Sequence, residues 1–302
     1  MSQRRGVANA TRAAELFRQV LEREASFAPA QAGLANAYAF MSASYAGPDN
    51  EEGLARMRPA AGRALELDPL LAEAHAAMGL LHAREREWPD AERSFQRALE
   101  LNPSLTSTHT NYVSSTLIPL GKLDEASRVT DAALRADPLS LDVQRYAAIL
   151  AIIRGDYEDA IQTLGSVHAK DPALTFVDLH LARALTFAGR LEEAMPLWVE
   201  REKQARARSL DLRGVQYWSA VAYVRAGRRG EVEGWLVGQD RFPYRQAIIY
   251  AALGARDSTF DALNRAIDTQ PQRVAPILMA PEMAGLRNDP RYGVLRKRLK
   301  LP

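Results

Sequence analysis

The sequence contains no cysteine, which excludes disulfide bonds, thiolate metal sites and cysteine nucleophiles together. It also has no run of about 18 apolar residues, the length that a membrane-spanning helix needs, and no apolar stretch follows its basic start, MSQRRGVANATRAAELFRQ. An excess of one charge is lacking too, because 39 Lys and Arg nearly balance 37 Asp and Glu. We therefore expect no membrane association, no general attraction to nucleic acid, and a cytoplasmic location, as a whole protein or as a soluble piece of a larger one.

Apolar residues, by contrast, are abundant and follow a repeat. Hydrophobic residues make up 47% of the 302 residues, enough for a folded chain with a large core. The phrases RALELDP and RALELNP stand 34 residues apart, and prolines that follow Asp or Asn recur at spacings of 34, 35 and 34. A fixed period of this length is typical of stacked helical repeats. These prolines are Pro69, Pro103, Pro138 and Pro172.

Each period predicts two amphipathic helices joined by a tight turn. Apolar residues three and four apart mark both helices, and alanines such as Ala91 and Ala98 stand where the two helices approach closely. Glycine in PLGKLDEA, IRGDYEDA and FAGRLEEA marks the turn, since it can close a helix in the left-handed conformation. The proline stops the second helix, because the residue before a proline is driven away from helical angles. The sequence therefore predicts an all-α protein.

The segment from Ala72 to Leu105 resembles the tetratricopeptide repeat, and the resemblance extends over roughly residues 8–270. It implies an α-α superhelix, a solenoid of about seven helical hairpins with a C-terminal capping helix. The first helix of each hairpin is expected to line the concave side. One unit departs from the pattern, because the unit from Thr106 carries one extra residue before Gly121. The residues that carry the resemblance are Met78, Gly79, Trp88, Ala91, Phe95, Ala98 and Pro103.

We expect one tetratricopeptide-repeat solenoid over the whole chain. The period is regular up to Pro172 and loosens after it, where further hairpins lack the proline. Terminal units of a solenoid need a cover for their apolar face, so we expect a cap at the C-terminal end. The predicted parts of the domain, residues 1–302, are an N-terminal closing helix (1–27), regular repeats (28–174) with an insertion near 42–53, divergent repeats (175–272) and a C-terminal cap (273–302).

Longer phrases, among them RALELDPLLAEAHAAMG and the ending LRNDPRYGVLRKRLKLP, are similar to a subgroup of these arrays. Arrays of that subgroup stand behind winged-helix DNA-binding domains, adenylate cyclase domains and serine/threonine kinase domains in bacteria. The resemblance implies a protein–protein interaction scaffold or adaptor that binds an extended peptide or a partner domain in its concave groove, within bacterial regulation. The alternative is a ligand-sensing regulatory domain of a transcriptional or cyclase-type signalling protein.

The sequence shows none of the patterns that indicate catalysis. The five histidines have no metal-binding spacing such as H-E-x-x-H, and no G-x-S-x-G motif, phosphate-binding glycine loop or dinucleotide fingerprint occurs. Two basic stretches, REKQARARSLDLR and LRKRLK, lack the interleaved aromatic residues of a nucleic-acid-binding surface. We therefore expect a protein that is not an enzyme, holds no metal or organic cofactor and binds no nucleic acid. The sequence gives no indication of an oligomeric state.

Candidate binding residues follow from the positions of each repeat that face the groove in the family. Arginines and aromatic residues recur at these positions on an apolar floor. Guanidinium groups bind carboxylates through two parallel hydrogen bonds, so this combination predicts an acidic protein or peptide partner. The alternative is that the arginines only keep an exposed face soluble. The predicted partner-binding residues are Arg84, Arg145, Ile149, Phe176, Leu179, Arg183, Phe187, Tyr217, Arg225 and Tyr244.

Overall fold

The computed structural model describes residues 2–43, 50–174, 176–209, 211–238 and 241–302. Throughout these ranges the regular structure is helical and no strand occurs, which confirms the predicted all-α class. Half of the predicted insertion, residues 44–49, lies outside the described residues. Among the described helices, each is too short or too polar to cross a lipid bilayer.

Contacts between residues divide the chain into two compact units. The first unit comprises Met1–Leu117 and Val129–Pro138, and the second comprises Ile118–Arg128 and Leu139–Pro302. The prediction of a single continuous solenoid over the whole chain stays a prediction. Up to residue 136 the helices are α1 (Ser2–Arg23), α2 (Ala28–Ala43), α3 (Asn50–Leu67), α4 (Ala72–Glu85), α5 (Trp88–Leu101), α6 (Thr106–Tyr112), α7 (Ile118–Leu120) and α8 (Leu123–Ala136).

The helices that follow belong to the second unit. They continue the antiparallel hairpin order, and a short 3-10 helix interrupts them near the C-terminal end. The helices are α9 (Leu141–Arg154), α10 (Tyr157–Lys170), α11 (Val177–Phe187), α12 (Leu191–Ala207), α13 (Arg213–Arg225), α14 (Arg229–Gly234), α15 (Pro243–Ala252), α16 (Arg256–Thr269), α17 (Pro271–Leu278), the 3-10 helix Pro281–Leu286 and α18 (Pro290–Arg298).

The hairpin of α4 and α5 shows how one repeat packs. Phe95 of α5 is fully buried against α4, where a Cβ atom on Gly79 would lie only 2.8 Å from its ring. A close-packed interior leaves such a ring no room to move away, so the position requires glycine. Trp88, Ala91 and Ala98 are buried on the same helix. This arrangement confirms the repeat register predicted for residues 72–105.

The unit from Thr106 takes up its extra residue by a change of helix type. After α6, residues Val113–Leu117 form a π-helical turn, whose hydrogen bonds span one residue more than those of an α-helix. The helix then resumes as α7 and ends at Gly121, which has a φ of 76°. The inserted residue is therefore absorbed inside the helix, and the turn that leads to α8 keeps its place.

Turns between the two helices of a hairpin use the left-handed backbone conformation. In the turn between α4 and α5, Arg86 adopts it with a φ of 60°. A side chain with a Cβ atom costs roughly 1–2 kcal/mol in this conformation, which explains why glycine takes the corresponding place elsewhere. The glycines with positive φ in such turns are Gly121, Gly155, Gly189, Gly227 and Gly254.

The C-terminal segment packs on the preceding helix α16 and on α7, which lies far from it in the sequence. Helix α17 contacts both α16 and α7, and α18 contacts α16. The hydroxyl of Tyr292 in α18 donates a hydrogen bond of 2.9 Å to the carbonyl oxygen of Leu278 in α17. Leu295, Leu299 and Leu301 are all buried. The tail is therefore part of the core of the second unit.

Substituting two glycines of the α9–α10 hairpin distinguishes the energetic cost of backbone strain from the effect of helix propensity. We expect Gly155→Ala to destabilise the protein by about 1 kcal/mol, because Gly155 has a φ of 93° and a Cβ atom there meets open space. Gly165→Ala in α10 also meets open space, but inside a helix it should stabilise by roughly 0.5–1 kcal/mol. Urea denaturation followed by circular dichroism measures both values. Equal effects of the two substitutions would contradict this assignment of the turn.

Candidate functional site

The first helices of the hairpins in the second unit, α9, α11, α13 and α15, lie side by side, and we call them the inner row. Helix α11 contacts α9 and α13, and α13 contacts α15. Their apolar positions pack within the hairpins, as Ile152 of α9 and Ala184 of α11 do. Other positions of these helices bring arginines and aromatic side chains into contact with one another.

Arg183 of α11 forms a buried ion pair with Glu282 of the 3-10 helix. Its Nε and Nη2 atoms donate to Oε1 and Oε2 of the carboxylate, and both hydrogen bonds measure 2.8 Å. Only 6% of the arginine side chain and none of the glutamate side chain is exposed. The ring of Trp218 lies 4.3 Å from the guanidinium carbon. Two parallel hydrogen bonds and an aromatic face together stabilise a charge that water cannot reach.

Tyr157 and Phe187 lie beside this ion pair. Their rings stack with centroids 5.9 Å apart, and the guanidinium carbon of Arg225 lies 5.5 Å from the Phe187 centroid. The pKa of Tyr157 is raised, first by burial and then by the negative charge of Glu282, although neighbouring arginines oppose the change. The hydroxyl of Tyr157 therefore stays protonated at neutral pH and can act only as a neutral hydrogen-bonding group.

A second buried arginine, Arg245, stands at the start of α15. Its guanidinium carbon lies 4.0 Å from the centroid of Phe242, and its Nε donates a hydrogen bond of 3.0 Å to the hydroxyl of Tyr244. Tyr217 meets Tyr244 edge to face, with centroids 5.9 Å apart. Asp211 stands 3.6 Å from Nη1 of Arg245. These contacts make Tyr217 and Tyr244 part of a packed aromatic cluster.

His180 lies on α11 among three arginines. Its Nδ1 atom is buried and has no hydrogen-bond partner among the described residues. Burial lowers the pKa of His180 well below the usual 6.5, and the positive charges of Arg183, Arg145 and Arg201 lower it further. The imidazole is therefore neutral at physiological pH.

At the α9 end of the inner row, the arginine pairs with an exposed carboxylate. Arg145 lies with its guanidinium carbon 4.4 Å from the ring of Tyr146, and its Nε donates a hydrogen bond of 3.2 Å to Asp142. Asp142 is 52% exposed, in contrast to the buried carboxylate that Arg183 holds. Ile149 is half-buried, and so is Phe176, which precedes α11 with a φ of 68°. A bulky residue in that conformation is uncommon and costs energy.

The structure brings nine of the ten predicted partner-binding residues into the second unit. The tenth, Arg84, lies in the first unit, where its Nη2 donates a hydrogen bond of 3.3 Å to the carbonyl oxygen of Ala39. The sequence analysis missed Trp218, Arg245 and Glu282, because none of them stands at a groove position of a regular repeat. Of the ten, Leu179, Arg183, Tyr217 and Tyr244 are buried, Arg84, Arg145, Ile149, Phe176 and Phe187 are half-buried, and Arg225 is exposed.

Comparison with known proteins agrees with this architecture. A tetratricopeptide-repeat family model matches residues 72–105. No protein with a curated function matches the chain significantly. Both the matched segment and the helical architecture therefore point to the same kind of repeat.

Solved structures share the fold at low sequence identity. A structure of the human IFIT1 dimer with m7Gppp-AAAA has a TM-score of 0.58 and 17% identity, over 97% of this chain and 68% of that chain. A tetratricopeptide repeat protein from Parabacteroides merdae has a TM-score of 0.55 and 14% identity, over 76% of this chain and 93% of that chain. Yeast Tom70 has a TM-score of 0.50 and 18% identity, over 97% of this chain and 62% of that chain. At these identities the likeness establishes the fold alone.

The buried ion pair can be tested by a double-mutant cycle. We expect Arg183→Met or Glu282→Met alone to lower the free energy of unfolding by roughly 3–5 kcal/mol, because each leaves an uncompensated buried charge. The double variant should lose far less than the sum of the two losses. Urea denaturation measures all three variants. As a control, Arg190→Met removes exposed pairs with Glu193 and Glu158 and should change the stability little, because surface ion pairs contribute weakly. Additive losses in the cycle would contradict a coupled pair.

The lowered pKa of His180 predicts that the stability of the protein depends on pH. Because its pKa is lowered on folding, the unfolded chain binds more protons once the pH falls below 6.5, so the free energy of unfolding decreases there. We expect His180→Gln to lose less stability than the parent protein between pH 6.5 and 5. Urea denaturation at a series of pH values gives both profiles. Parallel profiles would show that His180 does not titrate in this way.

Proposed function

We propose that the chain, in which a tetratricopeptide repeat spans residues 72–105, is an interaction scaffold that binds an extended acidic segment of a protein partner along the inner row, within bacterial regulation. One observation carries the proposal: the inner row already holds a carboxylate of the chain's own 3-10 helix, through Arg183 and Glu282. The same helices therefore have the chemistry to hold a short acidic segment. The similarity of long phrases to arrays of bacterial regulators supports the regulatory setting.

Arg145, Ile149 and Phe176 form the proposed binding surface at the α9 end of the inner row. Arg183 is already paired with a carboxylate that has no exposure, so a partner could not replace Glu282 without opening the core. The side chain of Arg145 is itself only 11% exposed, but the Asp142 with which it pairs is 52% exposed. A carboxylate from a partner can take the place of Asp142 while the aspartate returns to water. Arg145 is therefore the arginine that we assign to partner binding.

Affinity and selectivity should come from different side chains of this surface. Attraction between charges near a protein surface is modest and is weakened by salt. Burying the apolar surface of Ile149 and Phe176 against a partner stabilises the complex at any salt concentration. We therefore assign most of the affinity to these two residues, and the choice of acidic partners to Arg145.

Peptides selected from a random display library against the purified chain can test the proposal. We expect the selected peptides to combine Asp or Glu with large apolar residues. Arg145→Glu should weaken the binding of a fluorescently labelled selected peptide by about tenfold or more, since it places like charges together. Fluorescence polarisation measures the dissociation constant for the parent protein and for each variant.

Arg154→Glu is the matched control, because it makes the same charge change on the same helix. Arg154 is 37% exposed and pairs with Asp124 of α8. We expect this variant to bind the peptide as the parent protein does. Selection of peptides without acidic residues, or equal loss of binding in both arginine variants, would refute the proposed role of Arg145.

A further inference from the structure

A histidine and two glutamates converge at the turn between α4 and α5 in the first unit. His82 and Glu85 stand three residues apart on the last turns of α4, so both lie on the same side of that helix. Arg86 then takes the left-handed conformation, and Glu87 follows it immediately before α5. Potential ligand atoms of His82, Glu85 and Glu87 all lie within 4.8 Å of one another.

The contacts of Glu85 leave one of its oxygens available. Its Oε1 atom pairs with Arg58 of α3, whereas its Oε2 atom is buried and has no hydrogen-bond partner among the described residues. A buried carboxylate oxygen without a donor is costly. His82 and Glu87 lie beside it, with Nδ1 of the histidine 2.7 Å from Oε2 of Glu87. A cation bound between the three side chains would satisfy the open oxygen.

From this geometry we propose that His82, Glu85 and Glu87 form a binding site for a divalent transition-metal ion. One imidazole nitrogen and two carboxylate oxygens suit Zn²⁺ and similar ions, whereas Ca²⁺ requires six or more oxygens. Zn²⁺ holds such ligands at about 2.0–2.2 Å in a tetrahedral arrangement. Ligand atoms at that distance from a tetrahedral ion stand about 3.4 Å from one another. The 2.7 Å contact between His82 and Glu87 must therefore open slightly and any wider separation must close, by small rotations of the three side chains. Three protein ligands leave the fourth position to water or to a side chain of a partner.

Neighbouring charges act on the site in two ways. Arg58 binds the other oxygen of Glu85 and so fixes the orientation of the carboxylate, as outer groups do at many metal sites. Arg86 is adjacent in the sequence and adds a positive charge that opposes a bound cation. Before a metal binds, these two arginines balance the two glutamates. The site therefore gains a net positive charge when it is filled, and this favours moderate rather than very tight binding.

Titration of the untagged full chain with ZnCl₂ in a calorimeter tests the site. We expect one Zn²⁺ per chain, and His82→Ala and Glu87→Gln should each weaken its affinity by about tenfold or more because each removes a ligand. Co²⁺ in place of Zn²⁺ should give visible d–d absorption that is lost in the same variants. MgCl₂ should give no comparable heat, since Mg²⁺ prefers oxygen ligands alone.

His75→Ala is the matched control for the histidine variant. His75 lies on the same helix but bonds through Nε2 to the carbonyl oxygen of Pro69, outside the cluster. This variant should bind Zn²⁺ as the parent protein does, and circular dichroism should show that all variants remain folded. Absence of Zn²⁺ binding by the parent protein, or unchanged binding in His82→Ala and Glu87→Gln, overturns the proposal.

Discussion

The guanidinium of Arg183 and the carboxylate of Glu282 meet inside the second unit, and each is stable there only while the other remains in place. This mutual dependence holds the 3-10 helix against the inner row. Burial is the main cause of the shifted pKa values of Tyr157 and His180, and the pair adds to it, because Glu282 raises the pKa of Tyr157 and Arg183 lowers the pKa of His180. Because one arginine is committed to this internal contact, we propose that a partner binds at the α9 end of the row.

The helices and turns of the fold could be predicted because the residues that determine them lie close together in the sequence and recur in each repeat. Pro103 stops a helix through its own ring, and Phe95 faces Gly79 within a single hairpin. Even the departure from the period was visible, since the extra residue before Gly121 appears in the structure as a π-helical turn. The contact between Arg183 and Glu282 gave no such signal. It joins residues 99 positions apart and belongs to no repeat.

The candidate site was predictable only in part, because its contacts also join residues that lie far apart in the sequence. Family positions indicated which residues stand on the inner row, but burial depends on what covers that row. Arg183 and Arg145 therefore look alike in the sequence and differ in the structure, because Arg183 pairs with the buried Glu282 of the C-terminal segment and Arg145 pairs with the exposed Asp142 of its own helix. The cluster at His82 was missed because its spacing matches no known metal motif. Its convergence depends on the backbone conformation of Arg86, which is set at the turn.

The separation between Arg183 and Glu282 also affects how the protein is made. On a ribosome, Arg183 is synthesised 99 residues before its partner, and domains generally fold as units as they emerge. Until Glu282 arrives, the nascent inner row carries a guanidinium without its carboxylate and apolar surface without its cover. Contacts between residues so distant in sequence form slowly. The second unit is therefore completed only after Glu282 has been synthesised, and until then its unpaired charge and uncovered apolar surface favour aggregation and binding by chaperones.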